Sequence, residues 1–145
     1  MVDVERTFTV NQPVEVVHNY LKDFGHACDW DPGTVSCTRL DDGPVRVGSH
    51  WRNVSELRGR TTELAYRLER LESQRLTFVG KNKTATSTDD ITLTPVGETT
   101  SVTYHAHIVF HGIAKLADPF FKRVFEKLAD ETVEGITREV AALRR

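Results

Sequence analysis

The chain is poor in sulfur: its 145 residues include 2 cysteines and 1 methionine. Cys28 and Cys37 stand outside any CxxC or Cys/His metal spacing, so neither a disulfide framework nor a thiolate metal site is expected. The amino-terminal stretch MVDVERTFTV has no signal-peptide pattern, and the two cysteines read as free thiols in a reducing cytoplasm. No apolar run approaches the length of a membrane-spanning helix, which argues against an integral membrane protein. An excess of positive charge is also missing. The 19 Lys and Arg are outnumbered by 21 Asp and Glu, for a formal charge of -2. That balance leaves no surplus cation to neutralise phosphates and argues against a nucleic-acid partner. Neither a P-loop nor a GxGxxG occurs, and no cofactor is expected.

What is present is alternation. Val2, Val4, Phe8 and Val10 share one side of a period-two stretch, with Asp3, Glu5, Thr7 and Thr9 on the other, which predicts a half-buried strand over 2–10. Asn11-Gln12-Pro13 then supplies a capping residue and an early proline for a helix carrying Val17, Tyr20, Leu21 and Phe24, stopped by Gly25. His26 to Trp30 reads as a short helical turn broken by Asp31-Pro32-Gly33. Strand-like stretches follow at 34–40, 45–57, 60–71, 75–81, 84–95 and 99–111. The breaks between them are short, including Asp41-Asp42-Gly43-Pro44, Arg58-Gly59 and Val96-Gly97-Glu98, so neighbours are expected to pair as antiparallel hairpins. The tail changes period. Asp118 suits an N-cap and Pro119 a first helical position, and an apolar stripe runs from Phe120 to Leu143.

This order predicts an α+β fold of one domain spanning 1–145: a curved seven-stranded antiparallel sheet wrapped around a long C-terminal helix, with two short helices after the first strand. Bending a sheet that far around one helix is expected to leave a gap that side chains do not fill, and apolar gaps of this kind take small ligands.

The same order resembles the START-like, or SRPBCC, superfamily, which includes birch-pollen-allergen-like and polyketide cyclase/dehydrase-like proteins. The resemblance covers nearly the whole chain. It is carried by VERTFTVNQPVEVVHNYLKDF, HACDWDPGTVS, VRVGSHWRNV, ITLTPVGETTSVTYHA and FHGIAKLADPFF. It implies the helix-grip fold, and an activity between lipid or polyketide binding and ring closure with loss of water.

The stretch SVTYHAHIVFHG places His105, His107 and His111 at alternate positions. A metal site would need them on the ligand side of the sheet. Val102, Tyr104, Ala106, Ile108 and Phe110 form the competing apolar face, and burial of such side chains stabilises a fold by about 1.5–3 kcal/mol each. The apolar set is therefore expected to face the helix and the histidines to face outward, with no metal.

The same parity places Val47, Ser49, Trp51 and Asn53 inward on the third strand and Thr62, Leu64, Tyr66 and Leu68 inward on the fourth. Leu76 and Phe78 follow on the fifth, then Asp89, Ile91 and Leu93 on the sixth. Because Asp89 and Asp90 are adjacent, either parity leaves one carboxylate inside. Asn53, Tyr66, Asp89 and Tyr104 are the polar groups expected to orient a ligand, or else to satisfy one another by internal hydrogen bonds. Trp30 suits either a cavity rim or plain core, as does Trp51. Arg6 interrupts the apolar face of the first strand, and reaches either an internal carboxylate or water. Phe121, Val124 and Leu128 on the last helix complete the expected ligand-binding set of Trp30, Trp51, Asn53, Tyr66, Phe78, Asp89, Ile91, Tyr104, Phe110, Phe121, Val124 and Leu128.

The partner this pattern implies is a hydrophobic or amphipathic small molecule, lipid- or polyketide-like. An enzyme of the cyclase/dehydratase type, drawing on Tyr66, Tyr104, Asp89 and Arg6, is the alternative that the resemblance implies. A non-catalytic protein-interaction module is a further one. A homodimer is possible but nothing in the sequence indicates it.

Overall fold

The computed structural model describes residues 1–57, 59–112 and 118–144, with the side chains of 118–120 outside the description. Strand β1 (Val2–Val10) is followed by helix α1 (Val14–Leu21), a 3-10 turn (Phe24–His26) and the one-turn helix α2 (Ala27–Trp30). Then come β2 (Thr34–Arg39), β3 (His50–Leu57), β4 (Arg60–Glu72), β5 (Arg75–Lys81), β6 (Ala85–Val96) and β7 (Thr99–Phe110). Helix α3 (Asp118–Ala141) ends the described fold. Its 24 residues, at about 1.5 Å each, make a rod of roughly 36 Å.

All strand pairs are antiparallel, in the order β1-β7-β6-β5-β4-β3-β2. Consecutive hairpins build six of the strands outward from β7, and the first strand returns to close the other side of β7. The sheet curves around α3. Between β6 and β7 the turn rests on Gly97, whose φ of 61° is the left-handed conformation that glycine adopts at no steric cost.

Two predicted elements are shorter than their patterns. The stretch 45–49 is not strand: Gly48 has a φ of 97°, which breaks the extended backbone. Buried Ser49 closes the loop instead, its Oγ accepting from the Arg46 amide at 2.9 Å and from Arg39 at 3.2 Å. Val47, expected inside, is therefore exposed. Helix α1 stops at Leu21 rather than at Gly25. Asp23 ends it, because its Oδ1 accepts both the Gly25 amide at 2.9 Å and the buried Trp51 indole N–H at 3.2 Å. Among the described residues no side chain caps the start of α1. Gln12 turns away to donate to the Leu143 carbonyl at 2.8 Å, tying the amino-terminal strand to the end of α3. The capping role assigned to Asp118, and the packing assigned to Phe120, fall outside the described side chains, as does Arg58 in the β3–β4 break.

The inner face of the sheet is divided along the strands. At one end Phe24, Trp30, Trp51, Leu68, Leu76, Phe78, Ile91, Leu93 and Val102 pack solidly against Ile136 and Val140 of α3. Phe24 is the hub of this cluster, with ring centroids 4.5 Å from Tyr66 and 4.6 Å from Phe78. At the other end a second, smaller cluster of Val2, Val4, Ala85, Ile108 and Ala129 borders Phe110, Phe121 and Phe125.

Candidate functional site

A cavity of about 640 Å³ lies between this second end of the sheet and the first half of α3, within the range of about 300–1,000 Å³ common for small-molecule sites. The division of the inner face fixes its boundary on β4, β6 and β7. On β4, Thr62, Leu64 and Tyr66 line the cavity, while Leu68, next on the same face, is fully buried in the core. On β6 the lining is Ala85, Ser87 and Asp89, and Ile91 belongs to the core. On β7 it is Phe110, Ile108, Ala106 and Tyr104, before Val102 joins the core. From α3 come Phe121, Phe125, Leu128, Ala129 and Thr132. Exposed Glu56, Arg60, Thr62 and Thr84 mark the mouth, at the β3–β4 and β5–β6 turns.

The polar groups gather at the inner end. Tyr104 donates its hydroxyl to Oδ2 of Asp89 at 2.7 Å. Asp89 is buried among apolar walls, which penalises its charged form and pushes its pKa up to about 7; the Tyr104 hydrogen bond opposes this and the nearby Asp31 charge adds to it. Asp31 is also raised by burial, against hydrogen bonds from the Gly33 amide and the Thr34 hydroxyl, each 3.0 Å long. Tyr66 and Tyr104 are held well above the usual phenol range, chiefly by burial and then by the Asp89 charge. Ser87 lies beside both Tyr66 and Asp89, and its side chain lowers the pKa of each against the effect of burial. Asn53 gives its amide nitrogen to Thr34 Oγ1 at 3.0 Å. Such a set can hold a hydroxyl or carbonyl, and Asp89 can exchange a proton near neutrality.

Gly80 makes room for this arrangement. It faces inward on β5 between Tyr66 and Ser87, and a Cβ there would stand 2.6 Å from the Tyr66 ring. The phenol ring lies over the bare backbone.

Of the residues expected to bind a ligand, Asn53, Tyr66, Asp89, Tyr104, Phe110, Phe121 and Leu128 come together around the cavity. Trp30, Trp51, Phe78 and Ile91 do not. Each is 2% exposed or less and packs in the solid cluster; for Trp51, Phe78 and Ile91 the reason is that parity fixes the face of a strand but not the distance along it. Trp30 is a core anchor rather than a rim, edge-on to Phe24 and to Tyr104. Val124 is half-buried on α3 and outside the lining. Asp31, Ser87, Phe125 and Thr132 were not among the expected residues. Ser87 shares the parity of Asp89 two residues on, and Phe125 and Thr132 flank Leu128 at helical spacing, so the signal for these three was present.

Asp89 is the inward carboxylate. Asp90 turns outward to a two-pronged contact with Arg75, at 3.1 and 2.7 Å, and takes the Thr77 hydroxyl at 3.1 Å. Arg6 lies outside the cavity lining and is partly exposed: its Nε donates to Asp130 of α3 at 2.8 Å, clamping β1 to the helix at the surface. On the outer face His105 and His107 meet Asp3, whose carboxyl His105 holds below its usual range. His111 lies 2.9 Å from the Thr86 hydroxyl. Among the described residues no cluster of His, Cys, Asp and Glu has metal-binding geometry, and no helix is long and apolar enough to cross a membrane.

Solved structures share this architecture. The protein TTHA0849 from Thermus thermophilus superposes with a TM-score of 0.81 at 16% identity, covering 97% of each chain. The Zhui aromatase/cyclase from Streptomyces sp. R1128 gives 0.80 at 16% identity over 95% of this chain and 92% of that one. A STAR-related lipid transfer protein from Xanthomonas axonopodis gives 0.74 at 12% identity over 95% and 85%. No protein of curated function matches in sequence. These likenesses place the helix-grip fold, and the model of the family described as polyketide cyclase / dehydrase and lipid transport matches residues 1–144. The chain belongs to that family, and its fold is that of START-like proteins.

Proposed function

We propose that the protein binds a hydrophobic or amphipathic small molecule, lipid- or polyketide-like, in the cavity between the sheet and α3. The observation that carries this reading is the cavity itself, about 640 Å³ with mainly apolar walls and a polar inner end. Transfer of an apolar body from water into such a site is favourable by about 25 cal/mol for each Å² buried. Within this reading the molecule works in a reducing cytoplasm with Cys28 and Cys37 as thiols, and burial pushes the Cys37 thiol up to about 12.

Displacement of an environment-sensitive hydrophobic dye tests the reading. Ala106 lines the cavity midway along β7, so Ala106→Phe fills the space. The variant should keep the wild-type circular dichroism and lose dye binding. Undiminished dye binding in a folded Ala106→Phe protein would sink the proposal.

A second reading rests on the Asp89–Tyr104 pair. Closing a poly-β-ketone ring needs a base to form an enolate and an acid at the departing hydroxyl, and a group titrating near the working pH serves both best. Asp89 has that character, and Tyr104 positions it. Turnover of a polyketide-like substrate that disappears in Asp89→Asn while dye binding persists would favour this reading over simple carriage.

A further inference from the structure

Resting on the binding reading above, we propose that the cavity selects molecules whose inner polar end is an uncharged hydroxyl, and turns away those that end in a carboxylate. The groups that face Asp89 decide this. Tyr104 faces it from β7, Tyr66 from β4, and Asp31 approaches from the end of α2. Asp89 pairs in register with Phe78 on β5, which carries no charge. The wall supplied by α3 is uncharged as well, and the charged lining residues beyond the inner end are Glu56 and Arg60 at the mouth. A carboxylate entering inner end first therefore meets two acidic side chains in an apolar setting, and among the described residues the lining cation, Arg60, stands at the mouth and not at the inner end. Sites made for carboxylates supply arginine or convergent free N–H donors. Here the Tyr104 hydroxyl is committed to Asp89, and the Asn53 amide nitrogen gives one N–H to Thr34 and faces Cys37 as well.

A hydroxyl fits either protonation state of Asp89. It accepts a hydrogen bond from the neutral acid and donates one to the carboxylate, while the Ser87 and Tyr66 hydroxyls offer both roles. An ammonium group is less well served. Both oxygens of Asp31 already accept hydrogen bonds from Gly33 and Thr34, and Asp89 carries full charge only above about pH 7.

The test uses three probes with one apolar body: 1-decanol, decanoate and decylamine. Each displaces the same hydrophobic dye from the full chain at pH values about one unit on either side of the Asp89 titration. Decanol should bind at least about ten-fold more tightly than decanoate at the higher pH, and the gap should narrow at the lower one as Asp89 becomes neutral. In Asp89→Asn the gap at the higher pH should fall to the wild-type low-pH value and lose its pH dependence. Should that variant not fold, the two-pH comparison on the wild-type protein decides alone. Decanoate binding as tightly as decanol at the higher pH overturns the inference, as does decylamine binding more tightly than decanol. Either result leaves the cavity-binding reading standing. Failure of all three probes to displace the dye removes that reading and this inference together.

Discussion

The hydroxyl of Tyr104 and Oδ2 of Asp89 lie 2.7 Å apart on neighbouring strands, joined diagonally across the line where solid core gives way to cavity. A buried carboxylate in apolar surroundings is costly when ionised. The phenol offsets that cost with a short hydrogen bond, and both residues are almost wholly removed from solvent. The pair thus belongs to the floor of the cavity as much as to the stability of the sheet.

Tyr104→Phe removes the donor and leaves the carboxylate in place. A buried polar group stripped of its partner costs about 1–3 kcal/mol. The loss should be larger above pH 7, where Asp89 is ionised, than near pH 5, where it is neutral. Urea unfolding at the two pH values measures the difference. The Asp89 titration, followed by carboxyl carbon NMR, should move upward, since the hydrogen bond is what opposes the effect of burial.

Asp89 also sets a pH dependence of its own. Its folded pKa of about 7 lies above the ordinary 3.8, so the folded state holds the proton over a range in which the unfolded chain has released it. Its contribution to stability is full below about pH 4 and declines as pH rises toward 7, by up to about 1.4 kcal/mol for each pH unit. Asp89→Asn should flatten this decline. The difference in unfolding free energy between Asn and Asp proteins should therefore grow in favour of Asn from pH 4 to pH 7. Parallel stability curves across that window would mean that Asp89 is ionised throughout.

Much of this arrangement was legible in the chain. The alternation of Val102, Tyr104, Ala106, Ile108 and Phe110 fixed the inner face of β7 and sent His105, His107 and His111 outward, as they stand. Hairpin breaks were enough for the order β2 to β7, while the place of β1 beside β7 was not among the expectations. Position along a strand was not legible, because period two carries no information about where a ligand space begins. That is why Trp51, Phe78 and Ile91 were grouped with Asn53 and Asp89. Adjacent carboxylates at 89 and 90 are ambiguous in sequence, and it is Arg75 on β5 that claims the second. Arg6 was equally opaque, since its partner Asp130 is 124 residues away.

Gly80 tests how the site is shaped. A methyl group there would meet the Tyr66 ring at 2.6–2.7 Å, well inside contact distance. Gly80→Ala should cost about 1–3 kcal/mol as the ring is displaced. Tyr66 lines the cavity, so dye affinity should fall together with stability. Gly80→Ala combined with Tyr66→Leu should recover part of the lost stability, as a double-mutant cycle would show.

The clamp made by Arg6 predicts a small effect. Its partner Asp130 is 68% exposed, and ion pairs in water contribute about 0–1 kcal/mol. Arg6→Ala should lower stability by no more than about that amount, with the effect shrinking in high salt. Ligand binding should be nearly unchanged, because the guanidinium is outside the cavity lining.

Gly135 carries the opposite expectation from an ordinary helical glycine. In an open helix, Gly→Ala stabilises by about 0.5–1 kcal/mol through the entropy of the unfolded chain. At 135 an added Cβ would sit 2.9 Å from the carbonyl carbon of Trp30 and closer still to its oxygen. These are backbone atoms of α2, held by the buried Trp30 side chain, so they cannot swing aside as a flexible side chain would. Helix α3 must instead lift from α2, loosening the packing of Ile136 and Val140 in the solid core. Gly135→Ala should therefore destabilise by about 3 kcal/mol or more, with the near-ultraviolet signal of Trp30 reporting the lost contact. Alanine at exposed Thr137, two residues on, is the control for helix propensity and should change stability by less than about 1 kcal/mol. If Gly135→Ala instead matched that control, or raised the unfolding midpoint, the close approach of α2 and α3 would not be the constraint that holds the helix against the sheet.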